Sequence, residues 1–513
     1  MRALTIFWFL TTASLVFISP ALAGPKILYV TDLEGRKGNI QAMIDQGQLK
    51  MSNGKLEIVD PKANLVFGGD INDRGPDSIK LRRWLVDLKE RFPNRVTLLW
   101  GNRDLNKLSL AQALLDLDKK MHEPMKKWLK EKLEKEGVAV PKEAKAEANL
   151  LKKYNTKANQ ILWWTQNNGI PNALDLHKQE MEELLRKPVS LDQAALDMAK
   201  SLDPKTGDYF RYLELGQLGH LEGESLFVHG GVSQENYRVI PGSPERAKTP
   251  QAWIPGLNQW GKQQLARFRE DLAAGKPKNS SKLLMYGDAV WDPTVNRVMA
   301  MDQSVVYPYR VKQDGNFRLP HEDVVNWLKG SGVSTVVVGH SPVGNVPVPL
   351  RDNGFLYLHA DTSYTGNGVQ TTVELKDGEA HVRGVTADGT KLDYKVSAKS
   401  VNGAGFKSGE NVIVGFTPEG NAVLYRYYDG YKIEEKVVPA AQINRSTLTA
   451  PRADVNDEVV AQQKVVREAV QAKGKPVVQA MEELDTLYPN KTPVLFSGAS
   501  KLSFEDGSEK QIR

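Results

Sequence analysis

Six short apolar runs, each ending near a side chain able to bind a metal ion, restrict this chain more than any other feature. Ile27 to Thr31 runs into Asp32, Leu65 to Phe67 into Gly68-Gly69-Asp70, and Val96 to Trp100 into Gly101-Asn102. Later, Leu226 to Val228 leads to His229, Thr335 to Val338 to Gly339-His340, and Phe355 to Leu358 to His359-Ala360-Asp361. Apolar runs of this length, bounded by glycine or charge, suit strands buried on both faces, where neither face reaches water. Amphipathic stretches such as Ser78 to Arg91 and His321 to Lys329 lie between some of them and supply covering helices. The expected fold is α/β, a sandwich of sheets flanked by helices.

In such sheets ligands gather where strands finish, because the loops there converge on one edge. That edge would collect Asp32, Asp70, Asn102, His229 and His340. A single polar residue after a strand is an ordinary turn residue. Five metal-competent side chains at five strand ends point to a site.

The remaining segments read differently. Residues from about 105 to 160 are rich in Lys, Glu, Leu and Ala at helical spacing, as in MKKWLKEKLEKEG, and read as a helical insertion with a solvated charged face. After Asp361, Asp377-Gly378, Asp388-Gly389, Asn402-Gly403, Glu419-Gly420 and Asp429-Gly430 mark hairpin turns. The first two turns can extend the main sheet, and Gly405 to Val438 reads as a small antiparallel module. The expected division is 24–375 for the main domain, 376–450 for a hairpin-rich module, and 451–513 for a helical segment with a polar tail.

Residues 1–23 have the form of a secretory signal: Arg2, an apolar stretch of 15 residues from Leu4 to Ile18, and Ala21-Leu22-Ala23 before Gly24. That stretch is shorter than the roughly 20 residues a membrane span needs, so the mature chain is expected in a periplasm or outside the cell, with no stable membrane span. The chain has no cysteine, which excludes disulfides, thiol nucleophiles and thiolate ligands. Any metal must be held by oxygen and imidazole. Lys and Arg number 68 against 62 Asp and Glu, a net charge of +6, too slight an excess to indicate a nucleic-acid partner.

Taken in order, TDLEG (31–35), GDINDRGPDS (69–78), GNRD (101–104), FVHGGVS (227–233) and VVGHSPVG (337–344) resemble the calcineurin-like metallophosphoesterases. The resemblance is to the phosphoprotein phosphatase branch, whose runs are GDxHG, GDxxDRG, GNHE/D, HGG and GH. It covers roughly Lys26 to Glu374, and WWTQNNGIPNAL (163–174) is similar to a stretch that bacterial members carry.

The resemblance implies a metallophosphoesterase-type sandwich with two divalent metal ions, Mn²⁺ above Mg²⁺, Fe or Zn²⁺. One ion would take Asp32, Glu34 and Asp70, the other Asp70, Asn102, His229 and His340. The implied reaction is phosphomonoester hydrolysis by metal-bound hydroxide, with phosphoproteins among the substrates. Arg74 would hold phosphate oxygens, with Arg310 as a second clamp and Arg297 in reserve.

Two positions depart from the family pattern. Glu34 stands where the family has a metal-binding histidine, which either makes the first metal site all-oxygen and favours Mn²⁺ or Mg²⁺, or leaves that site poorly filled. Arg103 stands where the family has a histidine that protonates the leaving group with the aspartate corresponding to Asp73. Arginine stays charged at neutral pH and cannot act as that acid, though it can stabilise developing negative charge. Aryl phosphates or phosphoanhydrides are therefore expected over phosphoserine. The rival readings are a nucleotide or dinucleotide phosphohydrolase and a catalytically silent metal-binding relative. Against a diesterase, Ser341-Pro342 follows His340 in place of a GHxH ending. His122, His177, His220, His321 and His381 read as surface or packing residues, and His359 is left without a role.

Overall fold

The computed structural model describes residues 24–277, 318–352, 354–362, 370–386, 389–428 and 432–452, with shorter pieces within 280–307 and 493–511. The first 23 residues, Arg310 and the expected helical pattern over 454–488 lie outside the described residues.

Two sheets carry the motifs. The seven-stranded sheet runs in the order Lys391–Ser397, Glu379–Val385, Gln370–Lys376, Ile27–Val30, Asn64–Phe67, Val96–Leu99, Gly216–Gln217. The five-stranded sheet runs Val348–Asp352, Phe355–His359, Thr335–Val338, Ser225–Val228, Gly219–Glu222. All six expected strands are present, three in each sheet and parallel within it. Their registers are level: Val30 pairs with Phe67, Phe67 with Leu98, Val338 with His359 and Val337 with Phe227. Level parallel strands release their chains at one edge, which turns six separated sequence positions into one neighbourhood.

The sheets face each other through Tyr29, Val66, Leu99, Phe227, Val337 and Leu358, with the Tyr29 and Phe227 rings stacked at 5.6 Å. The alternate residues Leu28, Val30, Leu65 and Phe67 turn the other way into a larger core shared with helices. One of these is Ser78–Arg91, which buries Ile79, Leu81, Leu85 and Leu88.

The helical run expected to about 160 continues to Leu215, through Ala173–Leu185, Leu191–Ser201 and Asp208–Leu215. Its later members carry their own start signals. Ser190 Oγ accepts from Gln193 N–H while the Gln193 side chain accepts from Ser190 N–H, a reciprocal cap. Among the described residues no helix is long and apolar enough to cross a membrane.

Asp377 and Gly378, with φ of 50° and 74°, make the tight turn their sequence suggests. Glu379–Val385 and Lys391–Ser397 thereby join the main sheet, so the strands just past 376 belong with the sandwich. A separate antiparallel sheet follows, of Lys407–Ser408, Asn411–Phe416, Asn421–Tyr428 and Lys432–Pro439. Arg351, buried in the five-stranded sheet, donates to the carbonyls of Ser397, Ser400 and Ala404, along the segment that leads from Lys391–Ser397 to it.

Candidate metal and phosphate site

The backbone at the strand ends is unusual. Nine described residues other than glycine have positive φ, and five of them are expected site residues: Asp32 (50°), Glu34 (45°), Asp70 (58°), Asp73 (102°) and His340 (68°). Such conformations disfavour residues with a Cβ and persist only where surrounding structure enforces them, a pattern concentrated at functional sites. Asp104 is part of that enforcement. Fully buried, it accepts hydrogen bonds from the backbone N–H of Asp70 (2.9 Å), Ile71 (3.0 Å) and Gly101 (2.8 Å) and from the Tyr212 hydroxyl (3.0 Å). The aspartate of GNRD thus ties two site loops together.

Close approach fixes the glycines. A side chain on Gly101 would collide with Asp70, and one on Gly339 with the carboxylate of Asp32.

Within this frame Asp32, Asp70 and His229 each offer an atom within 4.8 Å of the others, and all three are buried. Asp32 accepts from the Thr31 hydroxyl at 2.6 Å and from the His340 backbone N–H at 3.2 Å. Asp70 accepts from the Arg103 backbone N–H at 2.8 Å. His229 Nδ1 donates to Gly68 O at 2.8 Å, which leaves Nε2 as an acceptor facing Asn102 Oδ1 at 3.1 Å and Asp70 Oδ1 at 3.5 Å. His340 Nδ1 lies 2.9 Å from the same Asn102 oxygen, with its ring 5.3 Å from that of His229 and 4.6 Å from Tyr307.

Electrostatics agree with the geometry. Burial, and then the neighbouring charges of Asp361 and Asp70, push the Asp32 carboxyl well above its usual range. Burial pushes Asp70 up to about 7, against the opposing Arg103 charge. Burial lowers His229 to about 4, so its ring is neutral at pH 7. Crowded buried carboxylates, a neutral imidazole and an amide oxygen meeting lone pair to lone pair are costly alone and favourable around a hard cation. Asp32, Asp70 and His229 therefore fit a divalent ion, and the Asn102 oxygen joins His340 to the same cluster.

Glu34 stands beside this cluster and faces arginine. Arg103 Nε donates to Oε1 at 2.6 Å, Arg74 Nη1 donates to Oε2 at 3.2 Å, and Arg36 Nη1 is 3.8 Å from Oε2. Arg103 thus pairs with Glu34. Burial works to lower its proton affinity, but the charges of Glu34, Asp70 and Asp73 outweigh this and raise it. Asp73 instead receives a hydrogen bond from Lys107 Nζ at 2.6 Å.

Four contributors were missed by sequence reasoning. Asp361 is 1% exposed and its charge acts on Asp32; it lies two residues past the strand Phe355–His359, so the signal was available. Lys107 follows Arg103 by one helical turn. Arg36 and Tyr307 gave no sequence signal. His359 is buried with its ring 5.1 Å from Tyr357. The five remaining histidines serve locally: His122 and His321 cap helices, and His177, His220 and His381 lie beside Asp197, Glu222 and Asp393.

No protein-family model matches the chain. A local stretch of 72 residues, 14% of this chain, is 35% identical to the serine/threonine-protein phosphatase 6 catalytic subunit of Drosophila melanogaster. The match spans about a fifth of that relative's length (22%). A cold-active protein-tyrosine phosphatase of a psychrophilic Shewanella species is 14% identical, with a TM-score of 0.37 over 72% of this chain and 80% of that one. A metallophosphoesterase from Sphaerobacter thermophilus is 10% identical, with a TM-score of 0.25 over 73% and 89% of the two chains.

The ordered motifs converge on one edge of an α/β fold, and the local match likens a short stretch of the chain to a serine/threonine phosphatase.

Proposed function

We propose that this chain is an exported, metal-dependent phosphatase hydrolysing phosphomonoesters, phosphoproteins among them. The observation that carries the reading is the meeting of Asp70, Asn102 and His229 from three strand ends as mutually facing acceptors. Export rests on the Arg2, Leu4 to Ile18 and Ala21-Leu22-Ala23 pattern.

Divalent metal bound among Asp32, Asp70, Asn102, His229 and His340 would supply Lewis acidity towards phosphoryl oxygens and lower the pKa of water. Mn²⁺ or Mg²⁺ suits the oxygen-rich donors. The chain's own residues do the rest. Arg74, partly exposed and in the Asp-Arg-Gly turn, presents a planar fork to nonbridging phosphate oxygens. Asp104 holds the Asp70 loop, and the Gly68 carbonyl fixes the His229 tautomer. Arg103 keeps its proton and so stabilises leaving-group charge without protonating it, which favours aryl phosphates and phosphoanhydrides over phosphoserine.

The test is turnover by the mature chain on p-nitrophenyl phosphate, phosphotyrosine, phosphoserine and nucleotides, each with Mn²⁺, Mg²⁺ and Zn²⁺. Metal-dependent hydrolysis lost in Asp70→Asn is the expected result. No turnover on any substrate identifies a silent metal-binding relative, preference for nucleotides a phosphohydrolase, and equal rates on phosphoserine refute the leaving-group argument.

A further inference from the structure

Both carboxylate oxygens of Glu34, a residue the motif resemblance assigns to a metal ion, are engaged by arginine. Its side chain is only 4% exposed, so these contacts are made away from bulk water. Arg103 is the most intimate partner. Its Nε is 2.6 Å from Glu34 Oε1 and 3.8 Å from Asp70 Oδ2, and its backbone N–H also donates to Asp70 at 2.8 Å. The guanidinium therefore lies against the two carboxylates that the first of two ions would have to share. The other donors differ in kind: Asn102, His229 and His340 face one another as a group, and Asp32 accepts from a hydroxyl and a backbone N–H.

We propose that Arg103 is a built-in cation taking the place of one metal ion, so that the chain binds a single divalent ion beside Asp70, Asn102, His229 and His340. An ion entering at Glu34 would meet the charges of Arg103, Arg74 and Arg36. Glu34 is then a positioning residue, holding the Arg103 guanidinium beside Asp70, and the second positive charge that phosphate chemistry needs comes from the polypeptide. The inference rests on the metal-site reading above.

The test counts Mn²⁺ bound by the full mature chain in equilibrium dialysis and records the electron paramagnetic resonance spectrum of the loaded protein. One ion per chain with the hyperfine pattern of an isolated Mn²⁺ is expected. Arg103→Gln, which frees Glu34, is expected to take up a second ion and show an exchange-coupled pair, whereas Arg103→Lys stays at one. Two coupled ions in the wild type, or one ion in a folded Arg103→Gln, overturn the proposal. If that variant fails to fold, the wild-type count and spectrum decide alone. A wild type that binds no Mn²⁺ removes the metal-site reading itself, and this proposal with it.

Discussion

Lys107→Met is the most informative single perturbation of this site. Lys107 and Asp73 form a buried pair, their side chains 7% and 4% exposed, with Nζ 2.6 Å from Oδ2. The same ammonium donates to Asn106 Oδ1 at 2.9 Å and to the Arg103 carbonyl at 3.1 Å, so it also braces the turn carrying Arg103. Methionine fills similar space but supplies no donor, leaving Asp73 as an unpaired buried carboxylate in a turn of positive φ. Breaking one side of a buried pair costs about 3–5 kcal/mol, a large share of the roughly 5–15 kcal/mol that stabilises a domain. At about 2–4 °C per kcal/mol for a domain of this scale, the thermal midpoint should fall by roughly 6–20 °C. Asp73→Asn on top of Lys107→Met removes the orphaned charge and should recover about 1–3 kcal/mol of that loss. Thermal and denaturant unfolding of the wild type, both single variants and the double variant give the coupling directly. If the single costs simply add, within about 0.5 kcal/mol, the pair is not coupled and the argument fails.

Other variants probe separate links. Gly339→Ala puts a methyl group into the Asp32 carboxylate, so Mn²⁺ affinity by calorimetry should drop at least about tenfold, while far-UV circular dichroism stays that of the wild type. Asp70 is raised to about 7 in the metal-free protein, and metal binding needs its ionised form, so Mn²⁺ affinity should fall as pH drops below about 7. Because that raised value destabilises the metal-free fold as pH climbs from about 4 to 7, the gain in melting temperature on adding Mn²⁺ should grow over the same window; a flat pH profile would contradict both statements. Tyr427→Phe removes a donor to the Val343 carbonyl (2.8 Å) and should cost about 1 kcal/mol in denaturant unfolding, with weaker Mn²⁺ binding through the adjoining His340 loop.

The strands and their terminal residues were legible because burial on both faces demands continuous apolar runs, and a run that stops at Asp70 or His229 announces a loop. Register was not legible: nothing in NLVF or VTLL says that Phe67 aligns with Leu98, yet that alignment makes the loops converge. The role of Glu34 was hidden for a different reason. A carboxylate serves a metal ion or a guanidinium equally well, and only the folded chain brings Arg36, Arg74 and Arg103 to the same two oxygens. Lys107 was concealed within a Lys-rich helical stretch whose charges were read together as solvated, although this lysine points inward to Asp73. The helical region was cut short at 160 because its composition changes there, while the capping signal at Ser190-x-x-Gln193 went unused.

The four-stranded sheet near the C-terminus touches the chemistry through a short piece of chain. Tyr427 donates to the Val343 carbonyl and the Tyr425 hydroxyl accepts from Asn345 N–H at 3.0 Å, gripping the loop that leaves His340. Between them Gly344, at φ 108°, is the one residue type that lets the Tyr425 ring and Ile433 come so near. A fragment trimmed at the last recognisable motif would keep every presumed ligand yet lose the clamp that aims one of them. The smallest piece that keeps the His340 loop held is thus set by a pair of phenols, Tyr425 and Tyr427, well downstream of that histidine.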